Sequence, residues 1–316
     1  MTGSTPVGMV AIGTSTGTLW ASMVICKGAT YGVYPTLAVT SWLRELGHIH
    51  ITMQSDGEPA IQSVVDSIKA RLASGNAGVT IDRVAVQTSP VDSHASNGAV
   101  ERAVQTVRGF ARTCMAGLER RCGQELPASS VWWCWAVRHA AWLYNRFHKK
   151  RSQSNLTPYE KYKHRKYGQP VLQLASAVWA RRPGAALNKA GAPLIAGLWH
   201  GRDSVTDEHV IATGAGVFRT RTVKRKPMDA EWDKNAILGM TWEPWNTGKD
   251  IRGRRPLQHT AREPILAAPL PSNVDEHAFK KPVVAPVMGA ASTAPAEAPS
   301  AATTQPFWLK ASLGLG

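Results

Sequence analysis

Apolar and polar positions alternate with two different periods along the first ninety residues. GMVAIG and LWASMVIC read as two apolar strands joined by the turn-like Thr14-Ser15-Thr16-Gly17. Pro35 then opens a helical pattern to Leu46, with Leu37, Trp42 and Leu43 near helical spacing, and Gly47 stops it. HIHITMQ alternates as a third strand and ends at Ser55-Asp56-Gly57. A second helix is predicted from about Glu58 to Ala73, with Pro59 in its first turn, where a missing N–H costs nothing. Arg83 to Gln87 reads as a fourth strand, and strands alternating with helices indicate an α/β layered sheet.

After Pro90 the period becomes helical. Asn97-Gly98 opens a long amphipathic helix to about Arg121, and Pro127 starts another that carries Trp132, Trp133, Trp135, Trp142 and Phe147. Aromatic rings can stack on bases, but at this near-helical spacing core packing is the preferred account. From Ala177 to Lys226 the pieces AVWA, AGLWHG, HVIAT and VFRTRTV are separated by Gly, Pro and Asp, the mark of a small β-barrel-like module. Beyond Trp245 the text turns Pro/Ala/Ser-rich and is read as a disordered linker or tail, short of the apolar surface needed to offset ordering entropy. The expected organisation is an α/β core over 1–125, a helical extension over 126–170, a small basic β-domain over 171–230 and a tail over 246–316.

Charge narrows the function. The 316 residues carry 37 Lys+Arg against 22 Asp+Glu, a net +15 that favours a polyanionic partner. Between Glu101 and Arg182 stand 16 Lys/Arg and 4 Asp/Glu, so most of the excess is concentrated there. No apolar run reaches the roughly 18 residues that span a bilayer, so an intracellular protein, nuclear or cytoplasmic, with no membrane partner is expected. Cys26, Cys114, Cys122 and Cys134 form no CxxC pair and are read as packed thiols rather than zinc ligands.

Two carboxylates stand out by position. Asp56 follows a predicted strand and Glu101 lies in the first turn or so of a predicted helix, a geometry able to hold two divalent ions about 3.5–4 Å apart across a phosphodiester. Glu101, Gln105 and Arg108 share one helical stripe, fit to lay an acceptor and a cation along a nucleic-acid backbone. Simpler accounts exist for each: Asp-Gly after a strand is also a turn, and Glu near a helix start is also favoured by the helix dipole.

Ser55-Asp56-Gly57-Glu58-Pro59-Ala60-Ile61 followed by Ser96-Asn97-Gly98-Ala99-Val100-Glu101-Arg102 resembles the integrase core of long-terminal-repeat retrotransposons. Trp135-Ala136, His139-Ala140, Asn145-Arg146-Phe147, Leu156-Thr157-Pro158-Tyr159-Glu160 and Ala196-Gly197-Leu198-Trp199-His200-Gly201 are similar to the segments that follow that core, so the resemblance runs from Val7 to Lys226. It implies an RNase H-like fold, Asp56 and Glu101 as the second and third acids of a D,D,E triad, Mg²⁺ or Mn²⁺ as cofactor, and DNA strand transfer as the reaction. Arg102, Arg108, Arg112, Lys149, Lys150 and Arg151 become the expected phosphate contacts. A homo-oligomer and continuity with a reverse transcriptase in a polyprotein are further implications.

Two departures from the family pattern matter. The 44 residues between Asp56 and Glu101 exceed the family's usual spacing; Asp92 falls nearer to it but precedes the NG-x-x-ER motif in a loop, so Glu101 is preferred. The first acid should end a strand upstream of GMVAIG, yet residues 1–55 hold no Asp and one acid, Glu45. The expectation is a core short of its first strand, with one sheet edge left unpaired, an incomplete metal site and little or no strand transfer. A non-catalytic nucleic-acid-binding remnant is the competing reading.

Overall fold

The computed structural model describes residues 6–25, 33–55, 57–73, 81, 83–88, 94–149, 155–181, 192–248 and 305–311, with backbone alone for 88, 94–97 and 305–311. Among the described residues no helix is long and apolar enough to cross a membrane. Strands β1 (Val7–Gly13) and β2 (Thr18–Val24) form an antiparallel hairpin closed by Gly17 at φ 74. Helix α1 (Tyr34–Leu46) ends at Gly47 in the left-handed region, where glycine carries no Cβ penalty. Strand β3 (His50–Ser55), helix α2 (Pro59–Ala73) and strand β4 (Arg83–Thr88) follow, within a residue or two of the periods read in the sequence.

Helix α3 (His94–Cys122) starts three residues before Asn97, so Glu101 stands about two turns inside rather than in the first turn. Helix α4 (Val131–Phe147) starts four residues after Pro127: Ser130 donates its N–H to the Pro127 carbonyl in a turn, and its hydroxyl caps Trp132 N at 3.4 Å. The short helix α5 (Pro158–Lys163) begins with a capping box, Thr157 Oγ1 accepting from Glu160 N at 3.1 Å and Glu160 Oε2 from Thr157 N at 2.8 Å.

A second, all-antiparallel sheet follows: β5 (Ala177–Arg181), β6 (Leu194–Arg202), β7 (His209–Thr213), β8 (Gly216–Thr220) and β9 (Val223–Arg225), in the order β8-β7-β6-β5-β9. A short helix α6 (Lys234–Leu238) packs beside it.

Strand β10 (Gln305–Ala311) returns to the first sheet, whose order is β2-β1-β10-β3-β4. It runs antiparallel to β1 (Ile12 opposite Trp308) and parallel to β3 (Gln54 opposite Trp308). Pro306 lies one residue before the β1 pairing begins, outside the stretch bonded on both sides. The edge expected to stand open beside GMVAIG is therefore occupied, and the span 246–316, read as linker or tail, contributes a strand at its described segment.

Side-chain alternation sorts the first sheet into two faces. Val10, Ile12, Leu19, Ala21 and Met23 pack under α3 and α4, while Met9, Ala11, Trp20, Ile51 and Met53 pack under α1 and α2. The α4 core continues into one face of the second sheet through Ala177, Leu198, Ala212 and Val217. The other face has its own cluster around Trp199, Val178 and Phe218. Trp132, Trp135 and Trp142 are buried as expected of core residues, whereas Phe147 is exposed.

Candidate nucleic-acid interface and carboxylate site

Helix α3 is amphipathic along its length. Val100, Ala103, Val104, Val107, Ala111, Met115, Leu118 and Cys122 face the core at helical spacing. The opposite stripe carries Glu101, Gln105 and Arg112, all exposed, with Arg108 half-buried between them and Arg102 exposed beside Glu101. Of the stripe expected from spacing, Glu101 and Gln105 are exposed, whereas Arg108 is half-buried. Arg108 keeps its Nε buried with no hydrogen-bond partner among the described residues.

Lys149 is exposed one residue beyond His148, whose ring stacks on Tyr144 at 4.5 Å and meets Phe110 of α3 edge-on at 6.3 Å. That packing brings the end of α4 beside the Arg108–Arg112 stretch of α3. Lys150 and Arg151 lie outside the described residues.

The carboxylate pair is described on one side only. Asp56, like Asp92, lies outside the described residues. Its neighbour Ser55 ends β3 fully buried, its hydroxyl accepting from Gln62 Nε2 at 2.9 Å. Glu101 rides on a helix that packs across β1 and β10, the strands next to β3 in the same sheet. At two turns from the helix start it is beyond the reach of the terminal dipole, which falls off within the first turn. Among the described residues no three His, Cys, Asp or Glu side chains cluster as a metal site, so these residues do not by themselves supply the ligands that Mg²⁺ or Mn²⁺ requires.

A polar junction between α4 and the second sheet was not legible in the sequence. Asp203, buried, pairs with Arg138 at 3.4 Å and Arg219 at 3.3 Å and accepts the N–H of Thr206 at 2.9 Å. Asp207 pairs with Arg202 at 3.2 Å and Arg146 at 3.7 Å and accepts from the Tyr167 hydroxyl at 3.1 Å. Arg146 itself is buried in an aromatic cage, its guanidinium 4.4 Å from the Trp142 ring and 5.2 Å from those of Tyr159 and Tyr167. Beside it a cavity of about 30 Å³, lined by Trp20, Glu45 and Arg138, has room for a water or two. Burial pushes the Glu45 carboxyl up to about 7 against the pull of Lys163, 3.7 Å away. Composition marks such charges as surface; only the folded chain shows them holding two layers together.

No family model matches the chain, and no curated protein matches it.

Proposed function

We propose that this chain is an integrase-like polypeptide on an RNase H-like core that binds DNA through α3 and the segment after α4. The observation that carries the reading is the exposed set Glu101, Gln105 and Arg112, with half-buried Arg108 between them and exposed Arg102 and Lys149 alongside, in a chain of net charge +15. Support for the fold comes from the mixed order β2-β1-β10-β3-β4 with helices on both faces, and from a strand seated beside GMVAIG. By the resemblance, Asp56, Glu101 and a further Asp would hold Mg²⁺ or Mn²⁺, which would supply charge to an attacking oxygen in strand transfer.

A second reading, a binding protein without catalysis, is favoured by one observation. The strand seated beside β1 reads QPFWLKA and contains no carboxylate, so that position brings no first acid to the sheet. One experiment tests both. Duplex DNA is titrated with the full chain and, in parallel, incubated with it in Mg²⁺ or Mn²⁺ and assayed for nicks. Nicking that disappears in Glu101→Gln while binding survives supports the enzyme. Binding without nicking supports the second reading, and absence of duplex binding rejects the DNA-binding proposal in either form.

A further inference from the structure

The face of the second sheet that carries Ala177, Trp179 and Ala196 opens into a cleft of about 330 Å³. Its floor is made of small residues, Ala196, Gly197 and Ala212, and Met240 and Trp242 wall it. Gly197 is small for a reason on the sheet's other face, where a Cβ would fall 2.6 Å from Ile211 Cγ2 and 2.8 Å from the Ala212 carbonyl oxygen; its backbone borders the cleft. Trp242 is fixed as a wall by donating its Nε1–H to the Thr213 carbonyl at 2.7 Å.

Lys226 lines the cleft and also reaches out of it, its Nζ 4.9 Å from the ring centroid of Trp179, which is 40 % exposed. Around that indole the surface is cationic. Lys224 is its cross-strand partner on β9, Arg181 lies two residues along β5, and both are exposed. From Arg219 to Lys226 there is no acid. The carboxylate lining the cleft, Asp233, caps α6 by accepting from Ala236 N at 3.0 Å.

A lysine stem shielding an outward aromatic would account for the Trp179–Lys226 contact alone. It would not account for the cleft behind it, whose volume reaches the range of ligand pockets, about 300–1,000 Å³. An exposed ring, a recess of small and apolar side chains bordered by a few polar ones, and a row of cations match a ligand with planar rings on an anionic backbone. Bases in a duplex are stacked and paired and cannot enter such a recess; unpaired bases can.

We infer that this cleft is a binding site for single-stranded nucleic acid. One unpaired base enters between the Ala196–Gly197 floor and Met240. The next stacks on Trp179, and the phosphates lie along Arg181, Lys224 and Lys226. The inference rests on the proposed nucleic-acid function and places a second, chemically different site on another element from the α3 stripe.

The test titrates the full chain with a labelled oligothymidylate and with a labelled duplex of the same length, at fixed salt, reading fluorescence anisotropy. Trp179→Ala removes the stacking platform, and Ala196→Leu, at the cross-strand position beside Trp179, narrows the recess. Loss of one stacked base is worth about 1–3 kcal/mol, so each variant is expected to weaken oligothymidylate binding by at least about fivefold while duplex binding changes less than about twofold. Trp179→Phe, which keeps an aromatic face, is expected to recover most of the loss. If the parent binds the duplex but both variants hold the single strand as tightly as the parent, or lose both probes in parallel, the cleft site is overturned and the α3 interface stands. If the parent binds neither probe, the nucleic-acid reading itself falls.

Discussion

Asn145 of α4 satisfies both backbone groups of Leu19: its Nδ2 donates to the Leu19 carbonyl oxygen and its Oδ1 accepts the Leu19 N–H, each at 2.7 Å. Leu19 lies on β2, the outer strand of the first sheet, so this side chain supplies the hydrogen bonds that a further strand would otherwise make. Removing the amide leaves two buried backbone groups without partners, at about 1–3 kcal/mol each. Asn145→Ala is expected to destabilise the chain by about 2–4 kcal/mol in urea unfolding. A loss under about 0.5 kcal/mol would mean that water replaces the amide freely.

Arg146 is held by three rings and by Asp207, its side chain only 3 % exposed. Arg146→Met keeps much of the volume but removes the cation. Asp207 retains Arg202 and is partly exposed, so the expected cost is about 2–3 kcal/mol, less than for a fully buried broken pair. Arg146→Lys should recover little, because an ammonium cannot stack flat against the rings. Thermal melts of the two variants decide this; a lysine variant as stable as the parent would contradict the cage.

Stability should fall on mild acidification. Burial holds His139, His200 and His209 down to about 4; neighbouring Arg146, Arg138 and Arg202 respectively add to the effect. His209 Nδ1 also accepts from Trp199 Nε1 at 2.9 Å, which requires an unprotonated nitrogen. Between pH about 4 and the ordinary histidine value near 6.5, the unfolded chain binds more protons at these sites than the folded one. Their contribution is therefore complete above that window and lost as pH falls through it. Glu45, raised to about 7, acts in the opposite sense: the folded state holds its proton longer, and stability drops as pH rises through its range. His48, also lowered by burial, joins the three histidines, and Glu243, also raised by burial, joins Glu45; four groups outweigh two, so urea midpoints should decline from about pH 6.5 to about pH 4.5. A midpoint that climbs over that interval would refute the assignment of neutral buried histidines.

Salt dependence tests the α3 stripe. Removing one phosphate-neutralising cation from the interface is expected to make the slope of log affinity against log salt shallower by roughly 0.9 for duplex DNA. The double variant Arg112→Ala, Lys149→Ala should flatten the slope by about 2 with little change in unfolding midpoint, since both residues are exposed. An unaltered slope would remove these residues from the interface.

Strand and helix periods were readable because each rests on local alternation: β1, β2, β3 and β4 and the helices between them all lie within a few residues of the expected spans. Several segments quoted for the family resemblance turn out to have structural work. Asn145 ties α4 to β2, Thr157 and Glu160 cap α5, and Trp199 is fully buried against His139 and His209. The start of α4 was misplaced because Pro127 makes a turn that precedes the true cap at Ser130. The Asp203 and Asp207 pairs were hidden because their partners sit up to 65 residues away. The exposure of Glu101 and Gln105 agrees with the stripe read from spacing, while its third member, Arg108, is half-buried; the cleft beside Trp179 depends on β5, β6, β9 and the 239–242 segment meeting in space.

Among the described residues, strands β1 and β3 are joined through β10: each hydrogen-bonds to it and neither to the other. During synthesis the ribosome delivers β1 about 290 residues and β3 about 250 residues before their common neighbour. Until Gln305–Ala311 emerges, the nascent chain exposes two unpaired strand edges facing the same gap. The first sheet therefore closes only after translation has passed the second sheet, and the interval before closure is when this chain most needs a chaperone to cover those edges.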